Sequence, residues 1–286
     1  MNLGVMTSGD LGFIVLKYLF DSYKTEFVLT DSNSKYIIDF CKKNKIACFI
    51  GNPRNGRAYS FCSKKKIDFL ISINYLFIIE KDLIELPKSF AFNIHGSLLP
   101  KYRGRTPHVW AIINNETETG ITAHLIDEGC DTGDIIEQIK IDIGDEETGA
   151  DVLNKFKHIY KKLLKIVLTK ANSGELTFKK QQSEIATFFD KRTPNDGEIN
   201  WNWQKERIKN WIRAQANPYP GAFTYINKKK LTIDKIKFSE IGFTNEMNNG
   251  LVLSTSPFLV KTPNGVVEIC KFRESKIQIK NGVILK

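Results

Sequence analysis

Two polar side chains sit where an apolar strand should have none. Phe90-Ala91-Phe92-Asn93-Ile94-His95-Gly96-Ser97-Leu98-Leu99-Pro100 opens as a buried strand, yet it carries Asn93 and His95. Strand side chains alternate between faces, so these two share a face near the strand's C-terminal end. In an open α/β sheet, ligands bind at that edge. An imidazole at that edge, oriented by an acid, would stand ready for proton transfer. A single histidine on a strand is more often a hydrogen-bonded core residue, and the second converging polar group is what tilts the reading toward a site. Another group stands at Asp127-Glu128-Gly129-Cys130-Asp131-Thr132-Gly133-Asp134, where an apolar strand runs into a turn rich in carboxylates. This is either a polar hairpin loop or the source of an acid that orients the His95 imidazole. The spacing and terminal Glu of an EF-hand are missing, which argues against calcium.

A sheet must hold these groups. Apolar runs at 3–6, 27–29, 48–50, 69–73 and 91–95 alternate with helical patterns, such as Leu11, Ile14, Val15, Tyr18 and Leu19, and the stretch 36–43. The alternation predicts an α/β fold, a Rossmann-like and mostly parallel sheet covered on both faces and extended through 120–126 and 135–143. Residues 151–170 carry the clearest helical period, stopped by Asn172-Ser173-Gly174. Arg192-Thr193-Pro194-Asn195-Asp196-Gly197 reads as turn and linker. A short helix at 205–216 precedes strand-like runs at 222–226, 231–238, 250–254, 258–262, 266–272 and 277–285, which suggest a small OB-like β-barrel. The expected division is a first domain at 1–186, a linker at 187–203, and a helix plus small barrel at 204–286.

Composition narrows the classes. With 286 residues, 42% of them hydrophobic, and 19 Phe, 9 Tyr and 4 Trp, the chain can build real cores and is not a disordered segment. The longest apolar stretch, 69–79, is interrupted by Ser72 and Asn74 and falls short of the roughly 20 residues a membrane helix needs. Met1-Asn2-Leu3-Gly4-Val5 has no basic region ahead of an apolar core, so no signal peptide is expected and a cytoplasmic location is. Cys41, Cys48, Cys62, Cys130 and Cys270 show no CxxC spacing, so neither a zinc clip nor a redox pair is written and no metal is expected. The 42 Lys+Arg exceed the 32 Asp+Glu by +10. Most lysine groups read as solvated surface, although a basic surface also suits an anionic nucleotide, folate or nucleic acid.

The stretch Asn93-Ile94-His95-Gly96-Ser97-Leu98-Leu99-Pro100-Lys101-Tyr102-Arg103-Gly104, with Asp131 downstream and the strand Glu118-Thr119-Gly120-Ile121-Thr122 between, resembles the folate-dependent formyltransferases. The resemblance extends over most of the chain, since Asn217-Pro218-Tyr219-Pro220-Gly221-Ala222-Phe223 and the terminal barrel also match the longer members. It is closest to the formyltransferase domain of the 4-amino-4-deoxyarabinose lipid-modification enzyme, through Lys101-Tyr102-Arg103-Gly104-Arg105. The resemblance implies direct formyl transfer from 10-formyltetrahydrofolate to an amine, with Asn93, His95 and Asp131 as the catalytic group. It implies a folate site near Phe77, Ile78, Ile79, Arg105, Asp127, Glu128, Gly129 and Cys130. For 77–79 the alternative is core packing, and for Arg105 a surface cation. It also places Ser8, Gly9 and Asp10 toward the acceptor; Ser8-Gly9-Asp10-Leu11-Gly12 is not the GxGxxG fingerprint, so NAD is rejected. His108 and His124 are left unassigned, with core or surface roles expected rather than catalysis.

Three acceptors compete. The purine-pathway members are shorter and carry glycines after the first strand that Thr7-Ser8-Gly9-Asp10 does not match. The methionyl-tRNA members carry a basic, Gly-rich insertion after the second strand, whereas here Thr30-Asp31-Ser32-Asn33-Ser34-Lys35 passes directly to the next helix. That leaves a UDP- or dTDP-linked amino sugar destined for bacterial surface glycan, with Arg103, Arg213 and Tyr219 as acceptor-side candidates. Tyr219 serves equally well as packing. Alternatives are the methionyl-tRNA enzyme and a formyltetrahydrofolate hydrolase. A homodimer is expected, with no membrane or nucleic-acid partner.

Overall fold

In the computed structural model, which describes residues 1–274 and 277–286, the apolar runs of the first half become one sheet. The elements are β1 (Asn2–Thr7), α1 (Gly9–Ser22), β2 (Lys24–Thr30), α2 (Lys35–Lys43), β3 (Ala47–Ile50), α3 (Arg57–Cys62), β4 (Phe69–Ile73), α4 (Lys81–Ile84) and β5 (Phe90–His95). They continue with β6 (Arg103–Gly104), α5 (Pro107–Ile113), β7 (Glu118–Leu125), β8 (Ile135–Asp142), α6 (Gly149–Ser173) and β9 (Phe188–Phe189). Seven strands pair in the order β3-β2-β1-β4-β5-β7-β8, while β6 and β9 form a separate two-stranded ribbon. Pairing is parallel from β3 to β5 and antiparallel between β5 and β7.

All five residues of β4 are buried. This is the continuous apolar run expected of a strand covered on both faces. Helix α1 buries Leu11, Val15, Leu16 and Leu19 at helical spacing, each worth about 1.5–3 kcal/mol when taken from water. The strand order reverses between β1 and β4, and β5 lies next to that switch point. Among the described residues, no helix is long and apolar enough to cross a membrane.

Gly120 shows how closely β7 and β8 approach. A Cβ there would meet the Ile139 carbonyl oxygen at 2.3 Å and Leu98 Cδ2 at 2.6 Å. The obstruction is a neighbouring backbone, which cannot rotate away as a side-chain tip can. Gly120→Ala should therefore destabilise the protein by about 1–3 kcal/mol, read as a lower urea midpoint. An unchanged midpoint would show that the strands can separate at no cost.

The chain divides into two compact units. One comprises 1–104, 120–141 and 155–188, and the other 105–119, 142–154 and 189–286. The second therefore takes in α5, the segment before α6 and the first residues of α6, as well as the C-terminal third. Its own elements are α7 (Lys205–Ala214), β10 (Ala222–Ile226), β11 (Lys229–Ser239), β12 (Val252–Thr255), β13 (Phe258–Thr262) and β14 (Gly265–Phe272). The strands form an antiparallel half-barrel in the order β10-β11-β14-β13-β12. Ile208 and Ile212 of α7 join Trp201, Leu231, Ile233, Val260 and Val267 in its core. Residues 277–285, read as a strand, are not one. Ile277, Ile279 and Val283 pack on the core as the alternation requires, but the Asn281-Gly282 turn breaks the ladder. Val252 N–H donates to the Val283 carbonyl at 2.8 Å and Leu285 N–H to that of Gly250 at 2.9 Å.

Candidate active site

The C-terminal end of β5 brings four side chains together, all within the first unit. Asn93 and His95 project from β5, and the antiparallel register pairs Asn93 with His124 and His95 with Thr122. The loop after β7 supplies Asp131. His95 Nε2 lies 2.8 Å from the Tyr102 carbonyl oxygen. A carbonyl only accepts, so Nε2 carries the proton and the neutral ring keeps its lone pair on Nδ1. That nitrogen faces Asp131 Oδ2 at 3.5 Å.

The segment that runs from β5 toward Tyr102 is tied down around one hydroxyl. Thr122 Oγ1 donates to the Ser97 carbonyl at 2.7 Å, accepts the Leu99 N–H at 3.1 Å, and accepts Gln138 Nε2 at 2.8 Å. Tyr102 itself has a φ of 61°, and its N–H donates to Thr187 Oγ1 at 2.8 Å.

Electrostatics divide the two titrating groups. Burial holds the His95 imidazole below its ordinary value, although Asp131 and the Tyr102 carbonyl oppose this. Burial alone would raise Asp131, but the His95 and His124 imidazoles and the Gly104 N–H, 2.9 Å from Oδ2, hold it well below the usual carboxylate range. At neutral pH the site thus presents a neutral base beside an ionised acid. It can take a proton at Nδ1 and stabilise the resulting imidazolium.

His124 was passed over in the sequence and lies within the cluster. Its Nδ1 donates to the Leu125 carbonyl at 2.7 Å, so in the neutral ring Nε2 accepts from Asn93 Nδ2 at 3.2 Å. Asp131 Oδ1 lies 3.5 Å from the same nitrogen. His124 thereby sets the Asn93 amide with its nitrogen inward and leaves the second N–H for a ligand oxygen. Period two along β7, which puts Thr122 and His124 on one face, was the signal available; only the β5 register turns it into a contact.

The other sequence candidates fall in separate places. Ile78 is 64% exposed, and Phe77 stands edge-on to Tyr75 with centroids 5.4 Å apart. Ile79 packs on the same core cluster as Ile126, at the base of the carboxylate loop. Within that loop Asp127 is used internally, its Oδ1 accepting Thr132 Oγ1 at 2.6 Å and the Gly129 N–H at 3.1 Å. Glu128, Gly129 and Cys130 are exposed. At the β1–β4 switch point, the Ser8 carbonyl accepts Asn74 Nδ2 at 2.9 Å and the Gly9 N–H donates to Ser34 Oγ at 2.9 Å. Gly9 and Asp10 are exposed there.

Arg103 is buried, with Nη2 and Nε on Gln181 Oε1 at 2.7 and 3.1 Å. The other two arginines and Tyr219 belong to the second unit. Arg105 N–H donates to the Phe189 carbonyl at 2.9 Å. Arg213 Nη1 donates to the carbonyls of Glu147 and Gly144 at 2.7 and 3.0 Å. The Tyr219 hydroxyl lies 2.8 Å from His108 Nε2, and burial takes the His108 imidazole down to about 4.

Residues 52–168 match the family described as Formyl transferase, and residues 191–282 match its C-terminal domain. The chain belongs to the formyl transferase family. It is 34% identical over 287 residues to the bifunctional polymyxin resistance protein ArnA of Wigglesworthia glossinidia brevipalpis, covering 98% of this chain and 42% of that protein. The chain thus spans less than half of this curated relative. Among solved structures, an N-formyltransferase from Helicobacter canadensis, in complex with folinic acid and dTDP-3-aminofucose, superposes with a TM-score of 0.72 at 24% identity, over 93% of this chain and 98% of that one. The sugar 3N-formyl transferase WlaRD, solved in the presence of dTDP and 5-N-formyl-THF, gives 0.71 at 23% identity over 95% and 98% of the two chains. Methionyl-tRNA formyltransferase from Clostridium thermocellum gives 0.57 at 21% identity over 84% and 94%. These three likenesses establish the shared formyltransferase fold.

Proposed function

We propose that this formyltransferase moves a formyl group from 10-formyltetrahydrofolate to the amino group of a UDP- or dTDP-linked amino sugar. The observation that carries the reading is the cluster at the end of β5: an amide donor held by His124 and a neutral imidazole beside an ionised carboxylate. In this reaction the acceptor amine forms a bond to the formyl carbon as the bond from that carbon to the folate nitrogen breaks. The free N–H of Asn93 meets the negative charge that grows on the formyl oxygen, worth a few kcal/mol (~3) for a well-placed donor. His95 Nδ1 takes the proton lost by the amine, and Asp131 stabilises the imidazolium until a proton returns to the departing nitrogen. The part-exposed Phe77 and exposed Ile78 suit a flat pteridine, and the 127–131 loop offers backbone groups for its edge.

Two observations favour a sugar nucleotide over a charged tRNA. An N-formyltransferase solved with dTDP-3-aminofucose superposes over 93% of this chain with a TM-score of 0.72, against 0.57 over 84% for a methionyl-tRNA formyltransferase, and α2 begins at Lys35 directly after the short turn from β2, which leaves no room for a basic insertion there.

The test is an acceptor screen by mass spectrometry. Purified protein and 10-formyltetrahydrofolate are offered UDP- and dTDP-linked amino sugars and, separately, initiator methionyl-tRNA. Gain of one CO unit on a sugar nucleotide is the expected result. Gain on the tRNA alone would overturn the acceptor class, and folate turnover with no formylated product would identify a hydrolase.

A further inference from the structure

We infer that Gln181 is a positioning residue for the proposed transfer, setting the Asp131 carboxylate through the backbone of the turn that carries it. Asp131 has a φ of 56°, in the left-handed region that side-chain-bearing residues enter at a cost. Such a conformation persists where its surroundings over-determine it. Gln181 Nε2 donates one hydrogen to the Asp131 carbonyl at 2.9 Å and the other to the Gly133 carbonyl at 2.7 Å, bracketing the turn. Its Oε1 accepts from Arg103 Nη2 at 2.7 Å and Nε at 3.1 Å. All the hydrogen-bonding capacity of this amide is therefore used in one orientation. A flipped amide would set its oxygen against two carbonyls and its NH₂ against a guanidinium.

The other end of the clamp is anchored just as firmly. The Arg103 guanidinium lies over the Phe188 ring, 5.3 Å from its centroid, and the Arg103 N–H donates to the Thr187 carbonyl at 2.9 Å. The next residue, Gly104, gives its N–H to Asp131 Oδ2 at 2.9 Å. One short strand thus reaches Asp131 twice: through Gln181 to its backbone, and directly to its carboxylate. The result is that Oδ2 and Oδ1 face His95 Nδ1 and His124 Nε2, each at 3.5 Å. This also gives the buried Arg103 a role: it orients Gln181.

The inference rests on the proposed reaction, so its test includes a measurement that needs no acceptor. Gln181→Glu keeps an acceptor for Arg103 but removes both donors to the turn; Gln181→Ala removes the clamp altogether. Misplacement of a reacting group by about 1 Å costs on the order of 100-fold. Both variants should therefore lose about 10- to 100-fold in kcat, with KM for folate and acceptor changed less than about 3-fold. In an Asp131→Asn background, Gln181→Ala should cost little more, because the group it positions is already gone. Independently, NMR titration of the His95 imidazole, flanked by Asp131 and His124, should show its pKa falling in Gln181→Ala toward the Asp131→Asn value. A fully additive double variant, or an unmoved His95 titration in a folded variant, would overturn the inference. A wild-type protein that formylates no acceptor would instead bring down the functional reading, while the His95 titration still decides the role of Gln181.

Discussion

Asp131→Asn should lower kcat by about 10²- to 10⁴-fold, the range associated with a positioned acid–base pair, while leaving a folded protein. The replacement is nearly isosteric, and its amide oxygen can still accept the Gly104 N–H that now reaches Oδ2 at 2.9 Å. What it removes is the negative charge beside His95 Nδ1. The imidazolium formed as the amine loses its proton would then stand buried with no counter-charge, and burial already disfavours that form. The sign of the pH effect follows. A neighbouring carboxylate raises the pKa of His95, so its loss should move the acid limb of the kcat profile to lower pH, even as the plateau drops. Stability responds separately. A carboxyl held below its usual range stabilises the fold fully above the unfolded carboxyl value, ~4, and that contribution fades only as acid protonates the folded group. The variant forgoes it at neutral pH and should unfold at a slightly lower temperature. A kcat within threefold of wild type, or an acid limb moved upward, would remove Asp131 from the chemistry.

His95→Ala should abolish measurable transfer. The residue lies at the centre of the cluster and turns toward the acid a nitrogen lone pair, whereas that of His124 already accepts from Asn93. Truncating a side chain this buried also leaves a cavity, so His95→Gln provides the control. Glutamine can place an N–H toward the Tyr102 carbonyl, now 2.8 Å from His95 Nε2, but it offers no base. Equal inactivity in both variants, with a thermal transition retained in His95→Gln, is the expected pattern, assayed as formylated product per folate consumed. Full turnover in His95→Gln would mean that proton transfer runs through water alone. Near-wild-type activity in both would sink the catalytic assignment.

The parts of the site that could be read from the sequence were those written within single segments. Asn93 and His95 stand two apart on one strand, and their shared face follows from the pleat alone. The alternation of apolar runs and helical patterns carried the parallel half of the sheet, because strands buried on both faces need continuous apolar stretches. His124 could not be assigned in the same way. Its partnership with Asn93 is a property of the β5–β7 register, and nothing near position 124 specifies which strand pairs there or in which direction. The Tyr102 carbonyl is a backbone atom and leaves no compositional trace. Gln181 lies fifty residues after Asp131, in a polar stretch that otherwise reads as surface. The segments 105–119 and 142–154 illustrate the same limit at larger scale. They join the C-terminal third in one compact unit through contacts such as Asn210 with Asn115 at 2.8 Å, which a linear division of the chain cannot anticipate. Residues 277–285 failed for the opposite reason: their alternation is real and their apolar side chains are placed as it requires, but alternation does not guarantee a partner ladder.

The bond from His95 Nε2 to the Tyr102 carbonyl has a stereochemical consequence for the proposed reaction. Because that proton is committed to a fixed backbone oxygen, the ring exchanges hydrogen with its surroundings through one edge only. The same nitrogen must load and unload, with no ring flip between the two events. The incoming amine and the departing folate nitrogen therefore present themselves on a single side of the imidazole, one after the other. The order of events at His95 is then imposed by access to that edge, and the ring works as a single-port relay.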